Sequence, residues 1–405
     1  MHDDPRITAD TSLHRHEARH RPVSDCPVVP GNKTTLLRSG AEAIGAMLDA
    51  IDHARDHLHL EFYIFDDVRI GGRGIVDSLL AARRRGVKVA VIYDSVGSLH
   101  TPDHIIDRLT QAGVQTLEFR PVRPWRRHFG WRLDRLNDRD HRKLLVADGA
   151  IAFLGGVNLA RVYENPPEAG LGKTAAESYW HDCAIRITGP AVAWAQRVFL
   201  DTWHKHGGDP LSGRTYPDPP PDGPHKIRIA ASAPLEHNQL YFRALRAAIE
   251  AAEHRILLTT GYFVPARRNW KLLADAARRG VRVTLILASH SDTPATLHAA
   301  RALYGRLLEA GVHIHELTDG MLHAKAATID GVWSVIGSSN FDRRSYSFNN
   351  EVDAVLLGRD MAQQLEALLT AWSQRASKVT LAEWRKRSLN ERGQEYLARL
   401  WERYM

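Results

Sequence analysis

Cysteine is nearly absent: Cys26 and Cys183 are the only two in 405 residues. That excludes a disulfide framework and weakly favours a reducing compartment. No run of about 18 apolar residues occurs, so no transmembrane helix is expected. The first residues carry no apolar core of the secretory type, so no signal peptide is expected either. Any membrane contact would then be made from the surface. Positive charge is plentiful, with a formal net charge of +7 and a pI near 9.4. Such a balance suits phospholipid headgroups or nucleic acid, although a solvated basic face would look the same.

Residues 1–35 are polar, rich in His and Arg and punctuated by Pro22, Pro27 and Pro30; they are expected to be a disordered tail. From Ala41 the order is amphipathic helix, strand (Leu58–Phe65), helix (Ile75–Arg85), buried strand (Val87–Tyr93) and helix (Ile105–Gln111). This alternation predicts an α/β fold. The same order returns from Leu240. Ala276–Val283 mirrors Ala82–Val89, and Glu309–Val312 mirrors Gln111–Val114. A repeat this long means a duplicated domain rather than a solenoid. The expected organisation is a first domain over 36–206, a Pro/Gly-rich linker over 207–225 and a second domain over 226–375. A basic amphipathic helix over 376–405 would follow, with Tyr396, Leu397, Leu400, Trp401 and Tyr404 on one face.

The repeat carries chemistry. His141-Arg142-Lys143 is followed by Asp148, Gly155-Gly156 and Asn158; His323-Ala324-Lys325 is followed by Asp330, Gly337-Ser338 and Asn340. In both copies the spacings from histidine are two, seven, fourteen and seventeen residues. A histidine and lysine two apart share one face of a strand. Two such strands meeting at a pseudo-twofold axis would bring two imidazoles and two ammoniums to one point. Lysine suits phosphate oxygens as a point charge, and the phosphate cage would be completed by Asn158, Asn340 and Ser338. One histidine can then attack phosphorus while the other protonates the leaving alkoxide, through a phosphohistidine intermediate. A nucleophilic imidazole needs its other nitrogen held. Asp182 and Glu351 occupy matching places downstream, each seven residues before the glycine that ends a strand, Gly189 and Gly358. Asp182 is expected to orient His141 and Glu351 to orient His323. Asp148 and Asp330 complete the motif and are counted with its catalytic residues; their place at the strand ends also allows a purely structural role, anchoring a turn or a basic residue. The motif offers cations where a two-metal phosphodiesterase needs bridging carboxylates, so neither metal nor other cofactor is expected.

The copies differ in one segment. Gly113 precedes His141 by 28 residues, whereas Gly311 precedes His323 by only 12. The extra stretch holds Arg123, Trp125, Arg126 and Trp131, a mixture suited to a membrane interface, where indoles sit at headgroup depth and guanidiniums pair with phosphates. The same mixture could stack on nucleic-acid bases.

These residues resemble the HxKxxxxD signature of the phospholipase D superfamily, present twice, and among its members the bacterial cardiolipin synthases, most of all the peripheral B type. Glu61–Phe65, Pro121–Trp125, Gly261–Pro265, Gly320–Lys325 and Gly337–Asn340 carry the likeness. The resemblance implies two similar α/β domains, each a mixed β-sheet flanked by helices, related by a pseudo-twofold axis with one active site between them. It implies phosphatidyl transfer from phosphatidylglycerol to a second phospholipid, again phosphatidylglycerol or phosphatidylethanolamine. Glycerol is released, on an anionic phospholipid membrane, with no obligatory nucleic acid. The expected location is peripheral, on the cytoplasmic face of the bacterial inner membrane. Two departures stand out: Gly156 replaces the serine of the second copy, and Asn165–Thr174 does not match the family pattern. The competing expectations are a hydrolytic phospholipase D or nuclease of the same superfamily, and a non-catalytic binding module; intact His–Lys pairs in both copies argue against the last.

Overall fold

The computed structural model describes residues 5–20, 26–122, 137–164, 179–212, 216, 218–234, 239–388 and 393. The first half contributes seven strands to the main sheet: β1 (Val29–Leu37), β2 (His57–Phe62), β3 (Lys88–Asp94), β4 (Gln115–Phe119), β5 (Lys143–Ala147), β6 (Ile151–Gly155) and β7 (Ala184–Thr188). The second half contributes β8 (His225–Ser232), β9 (Arg255–Thr259), β10 (Arg282–Ala288), β11 (His313–Leu317), β12 (Ala326–Ile329), β13 (Trp333–Gly337) and β14 (Glu351–Leu357), with β15 (Ser377–Val379) added at one edge. The spatial order is β15-β11-β10-β9-β12-β13-β14-β8-β1-β7-β6-β5-β2-β3-β4. Leaving β15 aside, this order reads the same from either end once each strand is paired with the one seven later, as a pseudo-twofold axis at the β1–β8 seam requires. The expected two sheets are therefore one. Their first strands pair antiparallel across the seam, Val29 opposite Ile227 and Asn32 opposite His225. Within each half two parallel pairings (β2–β3 and β3–β4; β9–β10 and β10–β11) lie outside an antiparallel set, so the sheets are mixed.

The helices are α1 (Pro5–His20), α2 (Gly40–His53), α3 (Ile75–Arg84), α4 (Asp103–Gln111), α5 (Ala191–Lys205), α6 (Leu240–Ala251), α7 (Arg267–Arg278), α8 (Pro294–Glu309), α9 (Arg343–Ser347), α10 (Arg359–Arg375) and α11 (Leu381–Arg385). Strand alternation decides which face each covers. Leu144 and Val146 of β5 pack with Phe199 and Trp203 of α5, in a core that also takes Ile336 of β13 and Leu365 of α10. Leu145 and Ala147 point the other way, into a core with α2, α3 and α4; α6, α7 and α8 cover that face in the second half. The α5–α10 core spans the seam, so burial of apolar area ties the halves together in addition to the sheet.

Both ends differ from expectation. Residues 5–20, read as part of a disordered tail, form α1, and β1 begins at Val29 within the same stretch. Specific polar anchors hold α1 where an amphipathic stripe is missing. His16 is fully buried with its Nε2 3.5 Å from Asp330 Oδ2, Arg15 pairs with Glu253 at 2.5 Å, and Glu17 pairs with Lys226 at 2.7 Å. At the other end, residues 377–385 form strand β15 and the short α11 rather than the start of one long helix. Pairing with β11 satisfies backbone groups that a free helix start would leave open. The apolar face from Tyr396 to Tyr404 lies outside the described residues, as do Arg123, Trp125, Arg126, Trp131 and Asn165–Thr174. Among the described residues no helix is long and apolar enough to cross a membrane.

Candidate active site

The two signature histidines precede β5 and β12, on the sheet face away from α5 and α10. The backbone N–H of His141 donates to Asn350 O at 3.0 Å, and that of His323 to His181 O at 2.9 Å. Asn350 and His181 are the residues just before Glu351 and Asp182. Each histidine is thus stitched to the segment that delivers the other half's carboxylate. The side chains follow. Nδ1 of His141 lies 3.1 Å from both oxygens of Glu351, and Nδ1 of His323 lies 2.7 Å from Oδ2 of Asp182. The expected pairing within each half is therefore corrected to a crossed pairing, because the parallel contacts Asp140–Asn350 and Trp180–Met321 join opposite halves. With Nδ1–H donated to a carboxylate, each ring keeps Nε2 for the cavity it lines.

That cavity, about 440 Å³, is walled by both histidines together with Asn158, Asn340, Tyr63, Trp180, Tyr262, Arg139 and Arg344, among others. Lys143 and Lys325 are not among the residues that line it; both are buried, each donating its Nζ–H back to the carbonyl of its own histidine. Asn158 and Asn340 occupy matching places. Their Oδ1 atoms accept from Ile64 N–H and Tyr262 N–H, both at 3.2 Å, which leaves the amide nitrogens as donors.

Burial sets the electrostatics. It lowers Lys143 to about 7 and Lys325 to about 8, against the pull of Glu351 on one and Asp182 on the other. It lowers His323 to about 4, with Lys325 adding to the effect, and with both lysines it holds His141 well below its usual value. The carboxylates diverge. Burial pushes Glu351 up to about 7 despite Lys143. Asp182 is also buried, but His323, Lys325 and the Tyr163 hydroxyl outweigh that and keep it below the usual carboxylate range.

Three expected roles move. Ser338 does not line the cavity as a phosphate donor. Its Oγ donates to Glu351 Oε2 at 2.5 Å and accepts from Val352 N–H at 2.9 Å, so it positions the carboxylate. In the first half that task falls to Tyr163, whose hydroxyl donates to Asp182 Oδ2 at 2.8 Å. Gly156 stands where Ser338 would be because a Cβ there would come within 2.0 Å of Asp182 Oδ1. Asp148 and Asp330, counted with the catalytic set, are turn anchors. Asp148 accepts from the N–H groups of Arg55, Asp56 and His57, and Asp330 from those of Glu253, His254 and Arg255. Both sit at φ +53°, a conformation that aspartate tolerates better than most residues. Tyr163, Arg139 and Arg344 had no motif to announce them. Among the described residues no group of three or more His, Cys, Asp or Glu is arranged to hold a metal ion.

A family model described as cardiolipin synthase, PLD-like domain, matches residues 47–165 and 245–372, once in each half. The chain is 32% identical over 385 residues to the cardiolipin synthase of Geobacillus thermodenitrificans (strain NG80-2), covering 93% of this chain and 73% of that one. It is 32% identical over 377 residues to cardiolipin synthase 2 of Bacillus anthracis, covering 91% and 70%. The crystal structure of phosphatidylserine synthase from Haemophilus influenzae Rd KW20 has the same fold, with a TM-score of 0.68 at 14% identity over 96% of this chain and 98% of that one. Duplicated fold and paired site define an enzyme of the phospholipase D superfamily. Within it the chain belongs to the cardiolipin synthase family, and its activity is phosphatidyl transfer.

Proposed function

We propose that the enzyme makes cardiolipin, moving the phosphatidyl group of phosphatidylglycerol onto a hydroxyl of a second phospholipid and releasing glycerol. The observation that carries this reading is the pair of imidazoles, each held at Nδ1 by a carboxylate and each lining one cavity beside two buried lysines. In the first half-reaction Nε2 of one histidine forms a bond to phosphorus. The phosphorus–oxygen bond to glycerol breaks, and the other histidine gives its proton to the departing oxygen. In the second, the acceptor hydroxyl passes its proton to that histidine, its oxygen bonds phosphorus, and the nitrogen–phosphorus bond breaks. Lys143 and Lys325 stabilise the phosphoryl oxygens in both steps. His141 is the nucleophile and His323 the acid. Asp182, held ionised, favours the charged form of His323 against the burial and the Lys325 charge that lower it, whereas Glu351, raised toward neutrality, gives His141 less such support.

The substrate is reached from the surface of an anionic membrane, on the cytoplasmic face of the inner membrane. The net charge of +7 and the Trp125–Trp131 stretch support contact with an anionic surface. Incubation with phosphatidylglycerol vesicles tests the whole reading. Cardiolipin and glycerol are the expected products, with acid-labile phosphate mapped to His141 after quenching. Phosphatidic acid as sole product would mean that water, not lipid, is the acceptor.

A further inference from the structure

The two halves match so closely that their mismatches inside the cavity carry information. Counting from the signature residues, Arg344 lies four after Asn340, and the residue four after Asn158 is Val162. Arg139 lies two before His141, and the residue two before His323 is Met321. Both arginines line the cavity. Their counterparts are apolar: Met321 is fully buried and Val162 packs against the first-half core. The two histidines and two asparagines line the cavity in symmetric pairs. Two further guanidiniums therefore stand in the same cavity without symmetric partners.

Their surroundings differ. Arg139 is buried and fully engaged, by Asp94 at 3.5 Å, by the carbonyl of Asp138 at 2.8 Å and by that of Arg120 at 3.5 and 3.4 Å, so it is a fixed positive charge in the cavity wall. Arg344 is half-buried and donates to Asn137 O at 3.3 Å; among the described residues no carboxylate forms an ion pair with it. Two carboxylates share the cavity, and both are engaged elsewhere. Asp342 accepts from Ser345 N–H at 2.8 Å to cap α9, and Asp292, exposed, accepts from the Tyr262 hydroxyl at 2.8 Å. Guanidinium is the side chain best shaped to grip a phosphate through paired N–H donors.

We infer that Arg344, with the fixed positive charge of Arg139 behind it, forms a second phosphate subsite, which holds the phosphate of the acceptor while its hydroxyl attacks the phosphohistidine. The inference rests on the phosphatidyl-transfer reading above and names the acceptor's chemistry: an alcohol that itself bears a phosphate. In the transfer step the acceptor oxygen bonds phosphorus, its proton goes to His323, and the bond to His141 breaks. The subsite adds no chemistry; it raises the occupancy and alignment of that hydroxyl.

Labelled glycerol and labelled glycerol 3-phosphate, each offered to the full chain on phosphatidylglycerol vesicles, test this. The first yields labelled phosphatidylglycerol by exchange, the second labelled phosphatidylglycerol phosphate. The expected kcat/KM for glycerol 3-phosphate exceeds that for glycerol by about tenfold or more, the scale of one charge-assisted hydrogen bond. That ratio should collapse in Arg344→Gln, carried mainly by KM, and be partly kept in Arg344→Lys. Because the ratio is internal to each variant, loss of folded protein does not change it. Exchange of glycerol with no preference for the phosphorylated acceptor overturns the subsite alone. Equal losses on both acceptors in Arg344→Gln, with the ratio intact, overturn it as well. Absence of any glycerol exchange overturns the phosphatidylglycerol reading and the subsite with it.

Discussion

His141 and Glu351 are 210 residues apart in the chain, and their side chains meet at 3.1 Å. His323 and Asp182 are joined the same way, at 2.7 Å. Each half thus supplies a histidine to the cavity and the carboxylate that orients its partner's histidine.

Crossed pairing has a direct kinetic signature. Glu351→Gln and Asp182→Asn should each lower kcat by about 10–100-fold, the usual effect of losing a group that orients a catalytic ligand. In a double-mutant cycle Glu351 should couple to His141 and Asp182 to His323, while the same-half pairs should be additive. Coupling of Asp182 to His141 instead would contradict the geometry.

Lys143 near 7 and Lys325 near 8 make anion binding a proton-linked event. At pH 8.5 Lys143 is largely neutral in the free protein. Lys325 is mostly neutral there too, and a bound dianion favours the charged form of both, so binding should take up between about one and two protons. At pH 6 both lysines are already charged, and the uptake should vanish. Calorimetry with sulfate, in two buffers of different ionisation enthalpy, reads the difference directly. Lys143→Met should reduce the uptake at pH 8.5.

Asp330 is held near 2: burial alone would raise it, but His16 and three backbone N–H groups outweigh that. Its unfolded value is the ordinary 3.8. A depressed carboxylate contributes stability above its unfolded value and loses it as pH falls through the folded one. The contribution, roughly 2 kcal/mol, should therefore be complete above about pH 5 and fade between about 4 and 2. Asp330→Ala should lower the unfolding free energy by about that amount, with kcat per folded molecule nearly intact. A collapse of kcat in a folded variant would return Asp330 to the reaction.

Gly156→Ala would drive a Cβ to within 2.0 Å of Asp182 Oδ1. The carboxylate must move off His323, so turnover should fall by about 10–100-fold and the melting temperature should drop with the overpacking. Tyr163→Phe, which removes the donor and leaves the space, should cost less. A Gly156→Ala enzyme with normal turnover would show that Asp182 has other room.

Much of this was legible in the chain. A histidine and lysine two apart on a strand face the same way whatever surrounds them, so the motif announced that each pair would share one face of the sheet. Helix and strand order followed from local periodicity, and strand β2 at His57–Phe62 lies close to its expected place. Partner choice was not legible: which carboxylate reaches which histidine depends on contacts of Asp140 with Asn350 and Trp180 with Met321, far apart in sequence. Helix α1 escaped notice because one buried histidine and two ion pairs hold it, with no apolar stripe to read. Ser338 was misassigned because a hydroxyl beside a phosphate motif could face the phosphate or the carboxylate behind it, and only the fold chooses.

The continuous sheet has one more consequence. Because the site needs a histidine from one half and a carboxylate from the other, two identical copies of one half could in principle have built it as a symmetric pair. Such a pair could change no position on one side without changing the other. Covalent fusion lifts that constraint. Val162 can be apolar where Arg344 is basic, and Gly156 can be bare where Ser338 carries a hydroxyl. A reaction whose leaving and entering alcohols differ is better served by two sides free to diverge.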